Sequence, residues 1–342
     1  MKRNMEKRTM GIGPIIGLIA VIQLASCSSS GVAQSISGTW PGATETVRVS
    51  SVIESSLLLD RSEMFTERDL EQTADVNEAA MLELSNGENT LIDEEGIYVL
   101  SGDYQNAVII VDADDEAKIQ LVLDELIITN ENSPAIYVKS ADKIFITTKD
   151  SKNSLTVSGT FEKDGDTNLD AVIFSRSDLV INGTGTLEIE SAEGNGITSK
   201  DDLKITGGNL IVYAHDDGLE ANDSIRIYDG NISIEAGADA LHSENDEDPL
   251  SGYIYIQSGT LDISAADDGI RGNSIIQIDG GIINISTCKE GIEATHIQIN
   301  GGTLVIYATD DGINATARST IDIVIEVYGG DISVTMASGD TD

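Results

Sequence analysis

The stretch Ile276-Gln-Ile278-Asp-Gly-Gly281 returns as Ile297-Gln-Ile299-Asn-Gly-Gly302, and this echo decides the fold. Four more copies flank the pair: Leu203-Lys-Ile205-Thr-Gly-Gly208, Ile225-Arg-Ile227-Tyr-Asp-Gly230, Ile254-Tyr-Ile256-Gln-Ser-Gly259 and Ile325-Glu-Val327-Tyr-Gly-Gly330. Their terminal glycines are spaced 22, 29, 22, 21 and 28 residues apart. The two long steps carry inserts, one near residues 242–252 and one near 315–324. A second alternating apolar pair follows each glycine: Leu210/Val212, Ile232/Ile234, Leu261/Ile263, Ile283/Ile285, Leu304/Ile306 and Ile332/Val334. Alternation at period two marks a strand with one buried face. A third apolar position recurs at Leu219, Leu241, Ile270, Ile292 and Ile313. Each repeat therefore reads strand, glycine turn, strand, acidic turn, short strand. A repeat of this size cannot bury its own apolar face, so copies must stack and place isoleucine on isoleucine. The fold predicted is an all-β, single-stranded parallel β-helix of about 22 residues per coil.

Outward from this core the repeat degrades. Residues 179–181, 187–189 and 195–197 form one looser coil, and residues 119–128, 135–138, 144–148 and 155–157 read as earlier ones. Residues 97–106 read as the start or cap. The solenoid is predicted over 76–342. The last coil ends just as another acidic turn is due, which reads as a truncated C-terminus or an open edge. At the other end, Lys2, Arg3, Lys7 and Arg8 precede an apolar run over 11–25 and then Leu24-Ala25-Ser26-Cys27. This is a signal peptide over 1–27 ending in a sequence that resembles a bacterial lipobox, with Cys27 as the lipidated residue. Residues 28–75 read as a polar tether, with a short helix near 65–74. The protein is expected on the outer face of a bacterial membrane, attached by lipid alone, and monomeric.

Composition bounds the function. The 342 residues hold 59 Asp+Glu against 20 Lys+Arg, a formal charge of −39, with 40% hydrophobic and 4% aromatic residues, 33 Gly and 4 Pro. Such charge repels a phosphate backbone and excludes nucleic acid as a natural partner. Two cysteines give no disulfide scaffold, and Cys288 reads as a buried thiol.

The chemistry is concentrated in the acidic turns: Asp216-Asp217-Gly218, Ala238-Asp239-Ala240, Asp267-Asp268-Gly269, Lys289-Glu290-Gly291 and Asp310-Asp311-Gly312. Stacking puts Asp217, Asp239, Asp268, Glu290 and Asp311 in one column, with Glu220, His242, Arg271, Glu293 and Asn314 in the next outward column. Like charges at strand spacing repel by about 1 kcal/mol per pair even in water. A hard cation with oxygen ligands relieves this, and Ca²⁺ is the expected cofactor; solvated turn carboxylates are the plainer alternative. The first candidate site is Asp268, Glu290, Glu293, Asp311 and Asn314. The second is Asp216, Asp217, Glu220 and Asp239, with Asp267 and Asp310 as flanking acids. His215 and His242 read as exposed loop residues. Tyr213 and Tyr307 share an outward column beside the turns, where an aromatic face stacks on a sugar or merely suits a strand.

The run Ser133-Pro-Ala-Ile-Tyr-Val-Lys-Ser-Ala-Asp142, with Lys289-Glu-Gly-Ile-Glu293, Ile299-Asn-Gly-Gly302 and Asp310-Asp-Gly-Ile-Asn314, resembles a family of bacterial carbohydrate-binding β-helix lipoproteins similar in fold to pectate lyases. The resemblance covers about residues 65–342. It implies a right-handed β-helix, calcium at the acidic turns, and affinity for plant polysaccharides such as cellulose and polygalacturonate. Three functions stay open at this stage. One is a non-catalytic, calcium-dependent polysaccharide-binding module. Another is a calcium-dependent lyase on uronate polymers, with Lys289 or Arg271 as base. The third is a structural surface spacer or adhesin.

Overall fold

The computed structural model describes residues 45–48 and 58–337. The expected signal peptide and Cys27 lie outside these residues. Three parallel ladders run the length of the molecule. In a regular coil the chain passes through Asp202–Ile205, turns at Gly208, continues through Asn209–Ala214, turns at the acidic tripeptide and finishes in Leu219–Ala221. The third ladder stacks ten such strands, from Asn89–Ile92 to Ile313–Ala315. The expected parallel β-helix is thus the observed fold. It has about ten turns and averages about 24 residues per turn, because the inserts and the larger early coils add to the 22-residue unit.

Register is set by the isoleucine ladders. Leu203, Ile225, Ile254, Ile276 and Ile297 are neighbours on successive coils and are fully buried. Leu219, Leu241, Ile270 and Ile292 form another such column. Each buried residue contributes roughly 1.5–3 kcal/mol of transfer free energy. A one-residue slip would turn a whole face outward, so the register is strongly specified. The glycine that closes each first turn has positive φ, for example 94° at Gly281 and 96° at Gly302. A Cβ on Gly281 would also lie 2.9 Å from the Gly259 carbonyl oxygen of the coil before it.

Two sequence expectations are corrected. Residues 58–75 are not tether but a strap laid along the outside of the first ladder, antiparallel to the direction of stacking. Leu59 N donates to Gln277 Oε1 at 2.8 Å, and Arg61 pairs with Asp279 at 2.6 Å. Phe65 packs edge-on against Tyr228 at 5.4 Å, and Arg68 lies over the Phe145 ring at 4.7 Å. Gln72 accepts from Gly183 N at 3.0 Å and donates to Thr206 O at 3.1 Å. Asp69 is fully buried between Lys143 (3.2 Å) and Lys204 (3.7 Å). Burial opposes its ionisation, but the Thr66 amide and the two lysines hold its carboxyl below the usual value. The expected helix over 65–74 is instead one turn at Arg61–Met64, capped by Asp60, and a 3₁₀ turn at Arg68–Leu70. The strap explains why outward residues such as Lys204, Tyr255 and Gln277 are buried. The second correction concerns the last coil. Its strand Asp331–Met336 is paired antiparallel by Glu45–Arg48, so on that face its edge is covered.

Candidate functional site

The acidic turns stack in coil register. Gly218 N donates to Asp239 O (2.9 Å), Ala240 N to Asp268 O (3.0 Å), Gly269 N to Glu290 O and Gly291 N to Asp311 O (both 2.8 Å). Beside them Glu220, His242, Arg271, Glu293 and Asn314 are register partners on successive short strands. A side-chain ladder runs up the turn column. Asn195 Oδ1 accepts from Asp217 N (2.9 Å), Asp217 Oδ1 from Asp239 N (2.9 Å), and Asp239 Oδ1 from Asp268 N (2.8 Å). Each carboxylate thus caps the backbone of the next coil.

The ladder stops at Asp268. The next residue in the column is Glu290, and Asp268 Oδ1 is buried with no hydrogen-bond partner. Asp268, Glu290 and Glu293 present one oxygen each within 4.8 Å of one another. Asp268 is 4% exposed and Glu293 3%. Burial, followed by the charges of Asp239, Glu293, Asp267 and Glu290, pushes the Asp268 carboxyl up to about 8. Glu290 is raised by burial and by Glu293, though Asn314 pulls it back. Asp311 is raised by burial and then by Asp310 and Glu293. Asn314 Nδ2 donates to Glu290 at 3.0 Å and to Glu293 at 3.4 Å, and rotating that amide by half a turn would offer its oxygen instead. The donor set is all oxygen and over-supplied with negative charge. These residues fit a hard divalent cation, with Asp268, Glu290 and Glu293 as carboxylate ligands and Asp311 and Asn314 beside them.

The second candidate set does not come together as one pocket. Asp217 and Asp239 converge on His242, whose Nδ1 lies 2.8 Å from Asp217 and 3.8 Å from Asp239, while Nε2 lies 3.0 Å from Glu244. Burial would lower this imidazole, but the hydrogen bond and charge of Asp217, with Asp239 behind it, hold it up at about 9. His242 is therefore a half-buried cation of the site edge and not an exposed loop histidine; His215 is exposed. Glu220 turns to Asn195, Thr198 and Lys200. Asp216 is exposed, and Asp267, half-buried, pairs with Lys289 at 3.2 Å. Asp310 is exposed beside Asp311.

Neither proposed base is in a form that takes a proton. Burial pulls the Arg271 guanidinium down, yet Asp239 (3.1 Å) and Glu244 (3.4 Å) hold it above its ordinary value. The hydrogen bond to Asp267 raises Lys289, which is exposed to solvent. Tyr213 and Tyr307 are 46% and 42% exposed in the same column. Glu235 and Ser264 and one further coil intervene, a separation of about 19 Å at strand spacing, so the two rings do not share one sugar. The cysteine Cys288 is buried against the Tyr307 carbonyl, and burial, then Asp268, pushes its thiol up to about 12.

Sequence reasoning missed Arg318. It sits in the second insert and pairs with Glu293 at the rim of the acidic cluster. The length of that insert was the available signal.

A parallel β-helix with stacked acidic turns along one edge belongs to the pectate-lyase-like class of solenoids. Residues 86–341 match the sequence model described as carbohydrate-binding domain-containing protein, and the chain belongs to that family. A carbohydrate-binding domain-containing protein of Acetivibrio thermocellus is 40% identical over 126 residues, which are 36% of this chain and 44% of that relative. The match therefore spans less than half of the relative's length. Among solved structures, the polysaccharide lyase-like protein from C. thermocellum, as a gadolinium derivative, is 32% identical with a TM-score of 0.54, covering 73% of this chain and 88% of that one.

Proposed function

We propose that this protein is a non-catalytic, calcium-dependent polysaccharide-binding module, tethered by lipid on Cys27 to the outer face of a bacterial membrane, and that it holds plant cell-wall glycans of the cellulose or pectin type. The observation that carries the calcium reading is Asp268, whose buried Oδ1 has no partner and whose carboxylate converges with those of Glu290 and Glu293. An unpaired buried carboxylate oxygen is costly, and a backbone amide is supplied to its equivalents at Asp217 and Asp239 but not to it. Ca²⁺ bound there would neutralise the edge and lend open coordination positions to glycan oxygens. Asp268, Glu290 and Glu293 would hold it. In this way a chain of net charge −39 can bind a polyanion such as polygalacturonate. Membership of a carbohydrate-binding family and likeness to a polysaccharide lyase-like protein support the glycan part. The protonated states of Arg271 and Lys289 favour binding over lyase chemistry, which needs a neutral base.

Affinity electrophoresis tests the reading. Migration through gels containing polygalacturonate should be slowed with calcium and restored by chelator, and Asp268→Asn with Glu290→Gln should abolish the retardation. Retardation that persists unchanged in chelator would sink the calcium mechanism. The anchor is checked separately by incorporation of labelled fatty acid, which Cys27→Ala should remove.

A further inference from the structure

The two inserts recognised as irregularities of the repeat build a cavity. One follows Leu241–Ser243 and the other follows Ile313–Ala315, which are equivalent short strands three coils apart. The two coils between them cross to the next strand with Asn273 and Ser274, and with Thr295 alone. Long connections on the outer coils and short ones between leave a notch about 14 Å wide at strand spacing. The inserts meet over it, where Ser319 Oγ donates to Pro249 O at 2.5 Å. The space is a cleft open to solvent on one side, of about 350 Å³, at the small end of small-molecule sites and suited to one unit of a sugar chain.

The walls are fixed in advance. Asn245 Oδ1 accepts from Glu247 N and Asp248 N, both at 2.8 Å, and Asn245 Nδ2 donates to Asp223 at 2.6 Å. On the opposite side Thr295 Oγ1 accepts from Arg318 N at 3.0 Å and Ser319 N at 2.8 Å. Walls that need no ordering on binding lower its entropic cost. Asp246, Ser251, Asn273, Arg318 and Thr320 line the space. Asp246 is an acceptor, Arg318 a donor, and the two hydroxyls serve as either. Arg318 borders the space through its guanidinium group, whose nitrogens are donors only. The charge of Arg318 is already met by Glu293, and Asp246, Glu247 and Asp248 crowd the first insert. A sugar carboxylate is therefore repelled here.

We infer that the cavity between the two inserts is a subsite for an uncharged, hydroxyl-rich sugar unit, with Asp246 and Arg318 reading adjacent hydroxyls, separate from the acidic cluster. The inference rests on the glycan-binding reading above. It is tested by isothermal titration of the purified protein with cellotetraose, alongside electrophoresis in polygalacturonate with calcium. Ala317 and Asp246 are both exposed, so Ala317→Trp, which fills the cavity, and Asp246→Ala should leave the melting temperature unchanged. Each should weaken cellotetraose binding at least tenfold and leave calcium-dependent retardation by polygalacturonate intact. Unchanged cellotetraose affinity in both variants overturns the inference. So does retardation by polygalacturonate with no binding of cellotetraose by the wild type, an outcome that leaves the general reading standing. Loss of both kinds of binding at unchanged melting temperature means a single shared site and also overturns it. If the wild type binds neither glycan, the general reading falls as well.

Discussion

Asp268→Asn tests the acidic cluster most directly, because it removes one negative charge and almost no volume. In the cation-free protein the Asp268 carboxyl is pushed up to about 8, by burial first and then by its acidic neighbours, from 3.8. An acid whose folded pKa lies above its unfolded one weakens the fold as it is forced to ionise. Its stability contribution is therefore intact below about pH 4, is lost as pH rises, and is flat above about pH 8. The loss is about 1.4 kcal/mol per pH unit, so on the order of 4 kcal/mol between pH 4 and pH 7. Asparagine cannot ionise and escapes this loss. Without calcium at pH 7 the variant should melt roughly 10 °C above the wild type, at about 2–4 °C per kcal/mol for a domain of this size. At pH 4 the two should coincide. With calcium at one hundred times its dissociation constant the wild type should gain about 2.7 kcal/mol by linkage, and the variant far less. Scanning calorimetry at pH 4 and pH 7, in calcium-stripped and calcium-containing buffers, measures all of this. A variant no more stable than the wild type at pH 7 without calcium would refute the electrostatic argument. An equal calcium gain in both proteins would refute Asp268 as a ligand.

Three further outcomes follow from the same structure. Asp69→Ala leaves Lys143 and Lys204 facing each other beneath the strap; it should cost about 3 kcal/mol in urea denaturation and open residues 58–75 to protease, whereas an unchanged midpoint would mean the strap contributes no clamp. The His242 imidazole should titrate by NMR with a midpoint near 9, and its stabilising share, fully present below about pH 6.5, should fade as pH rises through 9; a midpoint near 6.5 would dissolve the Asp217 pairing. Gly218→Ala would place a Cβ 2.7 Å from the Ala240 carbonyl oxygen and 2.4 Å from Ile234 Cγ2. Because that oxygen accepts the Leu219 amide at 2.9 Å, it cannot retreat freely, and a loss of about 1–3 kcal/mol is expected in chemical denaturation.

The columns of the solenoid were legible because a stacked repeat converts sequence spacing directly into spatial neighbours. Ile276 could be placed on Ile254, and Glu293 beside Arg271, by counting alone. Counting fails where a contact does not follow the repeat. The strap is polar and aperiodic, and its partners lie 74 to 240 residues away along the chain, so nothing local announces it. What did hint at it was chemistry out of place on an outward column: Lys204, Tyr255 and Gln277 are odd residues to repeat on a free face of an acidic protein. The choice among acidic turns was hidden for a different reason. Asp217, Asp239 and Asp268 look equivalent in sequence, and what separates them is whether the next coil returns an amide to the side-chain oxygen.

That difference also divides one acidic edge into two parts. Through the coils of Asp217 and Asp239 the neighbouring column supplies His242, held protonated, and Arg271. One coil further the same column supplies Glu293, and after it Asn314. Arg318 reaches Glu293 from the insert, yet Asp268, Glu290 and Asp311 form no salt bridge with the adjoining column, and all three are raised. The protein's own cations thus end where its buried carboxylate oxygen is left bare. If His242 and Arg271 do for the upper coils what the proposed calcium ion would do for the lower ones, replacing both with Asn and Gln should extend calcium binding up the column to Asp217 and Asp239. Titration calorimetry would then count an additional site. An unchanged stoichiometry would mean that the backbone amides donated to Asp217 and Asp239, rather than the two side-chain cations, are what keep a metal from those coils.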